Sequence, residues 1–297
     1  MDILVTGSNG FIGSHTARFL KEKGCKVTGL GRHEKPLFDV DDYICCDLSS
    51  GESFKNLSES GKKFDAAVHL AADMRREPHN VTVVTANCGG TQRLLEYCEE
   101  NGVKAFVQLS SLPVIGKPVR HPITEEHPLC PPTVYHATKA EQELLADYAY
   151  RLHGLRTCSM RISAPVGRGM NPRTIFPVFM KKALAGETLE LAGKGTRKQT
   201  YIAVKDIASA IYAALNSDAH GVYNLVSYNT VSNLELAQAI VKFTNSSSQI
   251  VFSGKDDYMD DYIWDADISK LKADTGWEPA IGLEEMIRDM ETVLKNE

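Results

Sequence analysis

The run Thr6-Gly7-Ser8-Asn9-Gly10-Phe11-Ile12-Gly13 limits the fold more than any other stretch, because its glycines recur at i, i+3 and i+6. Ahead of it, Ile3-Leu4-Val5 is a short apolar run of the kind that forms a buried parallel strand. Behind it, residues 11–23 carry helical periodicity. Glycine lets the backbone turn tightly and lets a ligand come close. The helix N-terminus then offers unpaired N–H groups and the positive end of its dipole to an anion. Glycines at this spacing also make plain turns, but a strand before and a helix after point to the pyrophosphate of a dinucleotide. Gly7, Gly10, Phe11, Ile12 and Gly13 are therefore expected at a cofactor.

The next elements extend that pattern. A strand over 26–30 ends at Gly31-Arg32, where such folds meet the adenosine ribose. A carboxylate there would bind the 2′-hydroxyl of NAD; its absence and the presence of Arg32 lean towards NADP, although arginine also stacks on adenine or stays a surface cation. A strand over 43–46 leads to Asp47-Leu48, with Asp47 either an adenine contact or a helix N-cap. A helix follows over 51–59, then a strand over 65–70 that contains His69, read as a core histidine. Leu70, Ala71 and Ala72 at its end leave room for a flat ligand or for tight packing. A long helix over 81–101 carries Asn87, and a strand over 103–109 ends in Ser110-Ser111. A proline-rich loop over 113–132 is either a pocket wall or a connector. A helix over 133–153 and a strand over 155–162 lead to Ser163-Ala164-Pro165-Val166-Gly167. Strand and helix alternate throughout, which predicts an α/β fold with a doubly wound parallel sheet.

Past Gly167 the rhythm becomes α+β. Helices are expected over 174–185, 206–215, 233–243, 268–274 and 283–294, and strands over 188–191, 200–204, 222–225 and 249–252. The division is a cofactor domain over 1–167 and a smaller substrate lobe over 168–297, with 200–215 the part placed to pack back on the first domain. A cleft then falls at the carboxyl ends of the strands. At 297 residues, 43% hydrophobic and 24% charged, the chain has the composition of a soluble globular protein. Its net charge of −5, without a basic block, argues against nucleic acid, and no apolar run is long enough for a bilayer. With no signal-peptide pattern before the first strand, the expected location is the cytoplasm. Seven cysteines without a CxxC spacing read as buried small hydrophobes, and the nine histidines form no metal-ligand pattern, so no metal is assigned.

Tyr135 and Lys139 are four apart on a helix and share a face. A tyrosine hydroxyl is a poor base at neutral pH, and a nearby ammonium group is expected to lower its pKa. Such a pair can move a proton at an alcohol or carbonyl while a nicotinamide takes or gives the hydride. Ser111 is placed to hydrogen-bond the same substrate oxygen.

With those residues in view, the chain resembles the extended short-chain dehydrogenase/reductases of the NAD-dependent epimerase/dehydratase family over nearly its whole length. TGSNGFIG (6–13), CDL (46–48), VHLAA (68–72), NCGGTQRLLEYC (87–98), SS…G (110–116), YHATK (135–139) and RISAPVGRG (161–169) carry the resemblance. YIAVKDIA (201–208), VYNL (222–225) and TGWEP (275–279) extend it into the second lobe. The resemblance implies a Rossmann-type sheet, NAD or NADP, Tyr135 as acid and base, Lys139 on the nicotinamide ribose, and Ser111 at the substrate hydroxyl. It also implies cofactor contacts at Ser110, Ile162 and Pro165, and homodimers formed through the helices at 81–101 and 133–153. Leu144, Leu145, Tyr148 and Leu152 on the second of these face either a partner or the core.

Departures from the family pattern narrow the expectation. Its dehydratases carry Asp-Glu after the catalytic Ser or Thr, and Leu112-Pro113 stands there instead. Dehydration then lacks its acid and base, which leaves 4-epimerisation or ketoreduction. Ala164 stands where nucleotide-sugar members have Asn, and Gln199 where they have Arg, with Arg197 nearby. Ala164, Arg197 and Gln199 are thus expected at a substrate that is a nucleotide-diphosphate sugar. The alternatives are another alcohol or ketone, or a non-catalytic NAD(P)-binding regulator.

Overall fold

A computed structural model describes residues 1–75 and 79–296. Seven parallel strands form the central sheet in the order β10-β6-β5-β4-β1-β2-β3. They are β1 (Asp2–Thr6), β2 (Lys26–Gly31), β3 (Asp42–Cys45), β4 (Ala66–His69), β5 (Ala105–Ser111), β6 (Arg156–Ile162) and β10 (Gly221–Leu225). The order reverses between β1 and β4, and that switch point opens a crevice at the strands' carboxyl ends. Helix α1 (Phe11–Glu22) buries Gly13, Thr16, Ala17 and Leu20, one stripe of a 3.6-residue repeat. Helix α2 (Gly51–Ser58) starts at Ser50, whose side chain accepts from Ser53 N. The N-cap is therefore Ser50 and not Asp47. The stretch read as one helix over 81–101 is α3 (Asn80–Val84), a π-turn (Thr85–Gly89) and α4 (Gly90–Glu100). Periodicity does not register a single widened turn, and such turns recur at functional sites. Helix α5 (Val134–His153) is capped by Thr133, which accepts from His136 N, and ends at Gly154 with φ 74°.

The smaller lobe holds a three-stranded sheet, β11-β9-β7, from β7 (Ala164–Val166), β9 (Lys198–Ala203) and β11 (Thr230–Ser232). Strands β7, which contains Pro165, and β11 were not among the expected strands. A parallel pair, β8 (Leu189–Leu191) and β12 (Ile250–Phe252), lies beside it. Helices α6 (Ile175–Leu184), α8 (Asn233–Phe243) and α10 (Leu283–Lys295) share this lobe's core, with α8 opened by a Ser232–Glu235 capping box. The lobe boundary is not a single cut at 167. Helix α7 (Val204–Leu215) packs against α1 through Ile207, Ala210, Ile211 and Ala214, and β10 pairs with β6 inside the large sheet. The chain therefore returns to the first domain before building α8, a long-range pairing that local sequence does not encode. Asp206 at the start of α7 accepts from Ala280 N and Ile281 N and anchors the segment before α10. In α9 (Ser269–Thr275), Leu271 is buried against the large domain.

The proline-rich loop is stitched to the C-terminal segment. Ile123 N donates to Asp265 O (2.8 Å), Asp267 N donates to Ile123 O (2.9 Å), and Lys117 pairs with Asp261. No helix among the described residues is long and apolar enough to cross a membrane. Replacing Ile211, which is fully buried between α7 and α1, with alanine is expected to cost about 2–5 kcal/mol through cavity formation. The lowered midpoint of urea unfolding measures it.

Candidate active site

The glycine turn is shaped by backbone contact. Gly7 has φ 69°, and a Cβ there would lie 2.7 Å from Ala71 N. A Cβ on Gly13 would run into the Gly7 carbonyl oxygen, so this glycine serves the close packing of α1 on the turn. Gly10 is the N-cap of α1 and has no side chain to satisfy the first turn. Those amides are left for an anionic ligand, so turn and helix fit a dinucleotide pyrophosphate. Phe11 stacks edge-on with His15, and Ile12 packs on the core.

A cleft of about 340 Å³ opens beside the turn. Gly7, Gly10, Arg32, Asp47, Leu48, Leu70, Ala71, Ala72 and Asn87 line it together. Arg32 is exposed at its rim, following the β2 end that carries no carboxylate. Asp47 accepts from Ser49 N (2.9 Å) and Ser49 Oγ (2.7 Å). Asn87 on the π-turn is nearly fully buried and fully engaged. Its Nδ2 donates to Asp73 O (3.0 Å) and Thr138 Oγ1 (2.9 Å), and its Oδ1 accepts from Asp73 N (2.7 Å). The cleft has further lining that sequence reading passed over. Asn9 bonds Tyr43 Oη (3.1 Å) and accepts from Leu37 N (2.8 Å), which ties the segment after β2 over the adenosine end. His33, Ser49, Asp73, Arg75, Thr82 and Ala86 also face it. Arg75 pairs with Asp73 at 2.5 Å and holds that carboxyl below its usual range. Only Asn9 carried a local signal, its place inside the glycine run.

The residues expected to carry proton chemistry lie on α5 and at the end of β5. Lys139 is buried, and its Nζ donates to Leu109 O (2.9 Å) and lies 5.9 Å from the Tyr135 ring centre. The expected lowering of the tyrosine pKa is reversed here: burial pushes Tyr135 up to about 12 and Lys139 down to about 8. Loss of solvation sets the tyrosine shift, and the ammonium hydrogen-bonds the Leu109 carbonyl and not the phenol oxygen. Ser111 is half-buried at the strand end, while Ser110 Oγ turns inward and donates to Glu143 Oε1 (2.5 Å). Successive residues of a strand face opposite sides, so these two serines meet different surroundings. His69 is the core histidine expected, bonded to Thr6 Oγ1 (2.7 Å) and Thr91 Oγ1 (2.9 Å), and burial lowers it to about 3.

The remaining residues stand apart from the cleft lining. Ile162 packs on the large core, and Pro165 is paired with Ile202 in the β7–β9 ladder. Ala164 is opposite Tyr201. Arg197 and Gln199 are half-buried near the start of β9, two residues apart and so on one face. The Gln199 amide, oriented with its oxygen toward the guanidinium, accepts from Arg197 Nη2 (3.1 Å) and Nε (3.3 Å).

A parallel sheet with a glycine-bounded dinucleotide cleft, and a tyrosine and lysine beside the strand ends, defines a nicotinamide-dependent enzyme. The chain belongs to the NAD dependent epimerase/dehydratase family, whose model matches residues 3–226. It is 30% identical to the low-salt glycan biosynthesis protein Agl12 of Haloferax volcanii over 96% of both chains. It is 28% identical to a dTDP-glucose 4,6-dehydratase of Streptomyces niveus over 95% of this chain and 89% of that one. Among solved structures it resembles UDP-N-acetylglucosamine 4-epimerase from Methanobrevibacter ruminantium M1 in complex with UDP-N-acetylmuramic acid. The TM-score is 0.88 at 25% identity, covering 99% of this chain and 98% of that one.

Gly7→Ala is expected to weaken dinucleotide binding at least about tenfold, since the new Cβ displaces the turn or the end of β4. Fluorescence titration with reduced nicotinamide dinucleotide measures the loss.

Proposed function

We propose that this enzyme transfers hydride to or from a nucleotide-diphosphate sugar without removing water, acting either as a 4-epimerase through a transient ketone or as a ketoreductase. The observation that carries this reading is the segment after Ser111. Leu112 is fully buried, Pro113 opens a tight 3₁₀ turn over Leu112–Ile115, and neither position offers a carboxyl group. A 4,6-dehydration needs a proton donor and a base beyond the tyrosine, and the family's dehydratases would place them there. The likeness to a dTDP-glucose 4,6-dehydratase is one of ancestry and fold on this reading.

A bound nicotinamide would supply the hydride acceptor and donor. Gly7, Gly10 and the first turn of α1 would hold its pyrophosphate, with Asp47 and Leu48 at the adenine end. Tyr135 would take the proton of the sugar hydroxyl and return it, helped by Lys139. Ser111 would hold the same oxygen. Burial keeps Tyr135 protonated before substrate arrives, so the phenol is set to donate to a ketone; a positive charge brought beside it would shift it the other way. Arg197, fixed by Gln199, is the cation offered to a diphosphate. Ala164 and the neutral Gln199 favour the competing reading, a reductase of an alcohol or ketone without a nucleotide. Arg32 at the ribose end favours the 2′-phosphorylated dinucleotide. Leu144, Tyr148 and Leu152 form an exposed stripe at i, i+4 and i+8 of α5, while Leu145 packs on the core. This stripe, with Val81 and Val84 on α3, is the expected homodimer face.

The deciding experiment denatures the purified protein, identifies any released dinucleotide, and screens nucleotide sugars for inversion at C4 or for net cofactor turnover. An inverted sugar without net absorbance change establishes an epimerase; a 4-keto-6-deoxy product overturns the reading. Tyr135→Phe is expected to cut turnover by about 10²–10⁴-fold, and retained turnover would remove Tyr135 from the chemistry. Arg197→Ala should raise KM for a diphosphate sugar about tenfold with little change in kcat. Light scattering should return the mass of two chains, falling to one on Leu144→Lys with Leu152→Lys.

A further inference from the structure

Behind the tyrosine and lysine lies a buried ion pair that the chemistry above does not use. Among the described residues, Glu143 and Arg161 form the one ion pair with both side chains buried, each 4% exposed. Glu143 is four residues past Lys139 on α5, one turn further along the same face. Its Oε1 accepts from Arg161 Nε (2.8 Å) and Ser110 Oγ (2.5 Å), and its Oε2 accepts from Arg161 Nη2 (2.7 Å). Arg161 also donates from Nη1 to Glu125 O (3.0 Å).

An ion pair so placed is costly to desolvate, and a well-packed apolar pair is often as stable or more so. Its position suggests a different service. Lys139 grips Leu109 O, and Glu143 grips the next residue, Ser110. Two turns of α5 thus hold successive residues of the β5 end, and Ser111 follows directly. The Glu143 carboxylate is also the largest charge that favours the Lys139 ammonium against burial. The other titratable groups facing Lys139 are Tyr135 on its own helix, Cys88 on the π-turn, whose thiol is bonded to Glu141, and His69 on β4.

We infer that Glu143, held in place by Arg161, is a positioning residue of the acid–base site: it fixes the strand end that carries Ser111 and sets a carboxylate one helical turn from Lys139. This rests on the reading of Tyr135 and Lys139 as the acid–base pair. Neither function requires Glu143 to touch substrate or cofactor.

The test titrates Lys139 directly in the full chain, by NMR of ¹³C-labelled lysine, with Lys139→Arg assigning the resonance. The wild-type midpoint is expected near 8. Glu143→Gln keeps the shape and removes the charge. It should lower the midpoint by about one pH unit, because the unpaired Arg161 adds repulsion to the lost attraction. Glu143→Asp, which keeps the charge, should stay near wild type. If Glu143→Gln does not fold, Glu143→Gln with Arg161→Met removes both charges, and its midpoint should still fall below wild type by a smaller amount. A midpoint unchanged in a folded variant lacking the Glu143 charge overturns the inference. In turnover, Glu143→Gln should reduce kcat about tenfold or more with KM nearly unchanged, through a misplaced Ser111 and a weakened ammonium. Unaltered kcat in a folded Glu143→Gln protein also overturns it. Retained turnover in Tyr135→Phe would instead strike the acid–base reading, and the NMR titration tells the two failures apart because it needs no substrate.

Discussion

The turn after β1 and the end of β4 approach each other so closely that no side chain fits at Gly7. A Cβ there meets Ala71 N at 2.7 Å, and one at Gly13 meets the Gly7 carbonyl. Thr6 Oγ1 accepts from Leu70 N and Ala71 N (both 3.2 Å) and closes the same junction. This backbone contact sits at the switch point of the sheet, where β1 lies between β4 and β2. It sets the start of α1, the free amides of its first turn, and the floor on which Ala71 and Ala72 face the cleft. Bulkier residues would lift α1 from the sheet and widen the site together.

The cleft beside that junction and the helix of Tyr135 and Lys139 are joined through Asn87. The π-turn at Thr85–Gly89 lets Asn87 bond the backbone of Asp73 and the hydroxyl of Thr138 on α5. Gln142 on α5 reaches the Asn87 carbonyl (3.1 Å), closing a second link. The walls of the two halves are therefore held by one buried polar network, with His69 neutral inside it. These shared bonds tie the two walls together, although Gln142 Oε1 is left without a partner.

Much of this was legible in the chain itself. The glycine run between an apolar strand and a periodic helix pointed to the carboxyl end of β1, and nine of the residues expected at the cofactor line one cleft there. What local reading missed has common causes. Asp73 and Arg75 follow a strand in a loop with no periodicity, and they matter only because the loop folds back under Asn87. Ser110 and Ser111 are alike in sequence, and only the β5 register sends one to Glu143 and leaves the other at the strand end. Tyr135 and Lys139 were found by spacing, but spacing carries no information on solvation, so the direction of the tyrosine shift was misjudged.

The sequence by itself determined the fold class, the cofactor end, the tyrosine and lysine on one helical face, and the missing carboxylates after Ser111. These follow from near-neighbour periodicity, from glycine's lack of a side chain and from residue chemistry. The tertiary structure decided that Gly221–Leu225 joins the large sheet, that Arg197 is clamped by Gln199, and that a buried carboxylate stands behind Lys139. The first and last depend on groups far apart in the chain meeting where water is excluded, as β10 meets β6 and Glu143 meets Arg161 and Ser110; the second depends on a side-chain orientation that residue spacing does not specify.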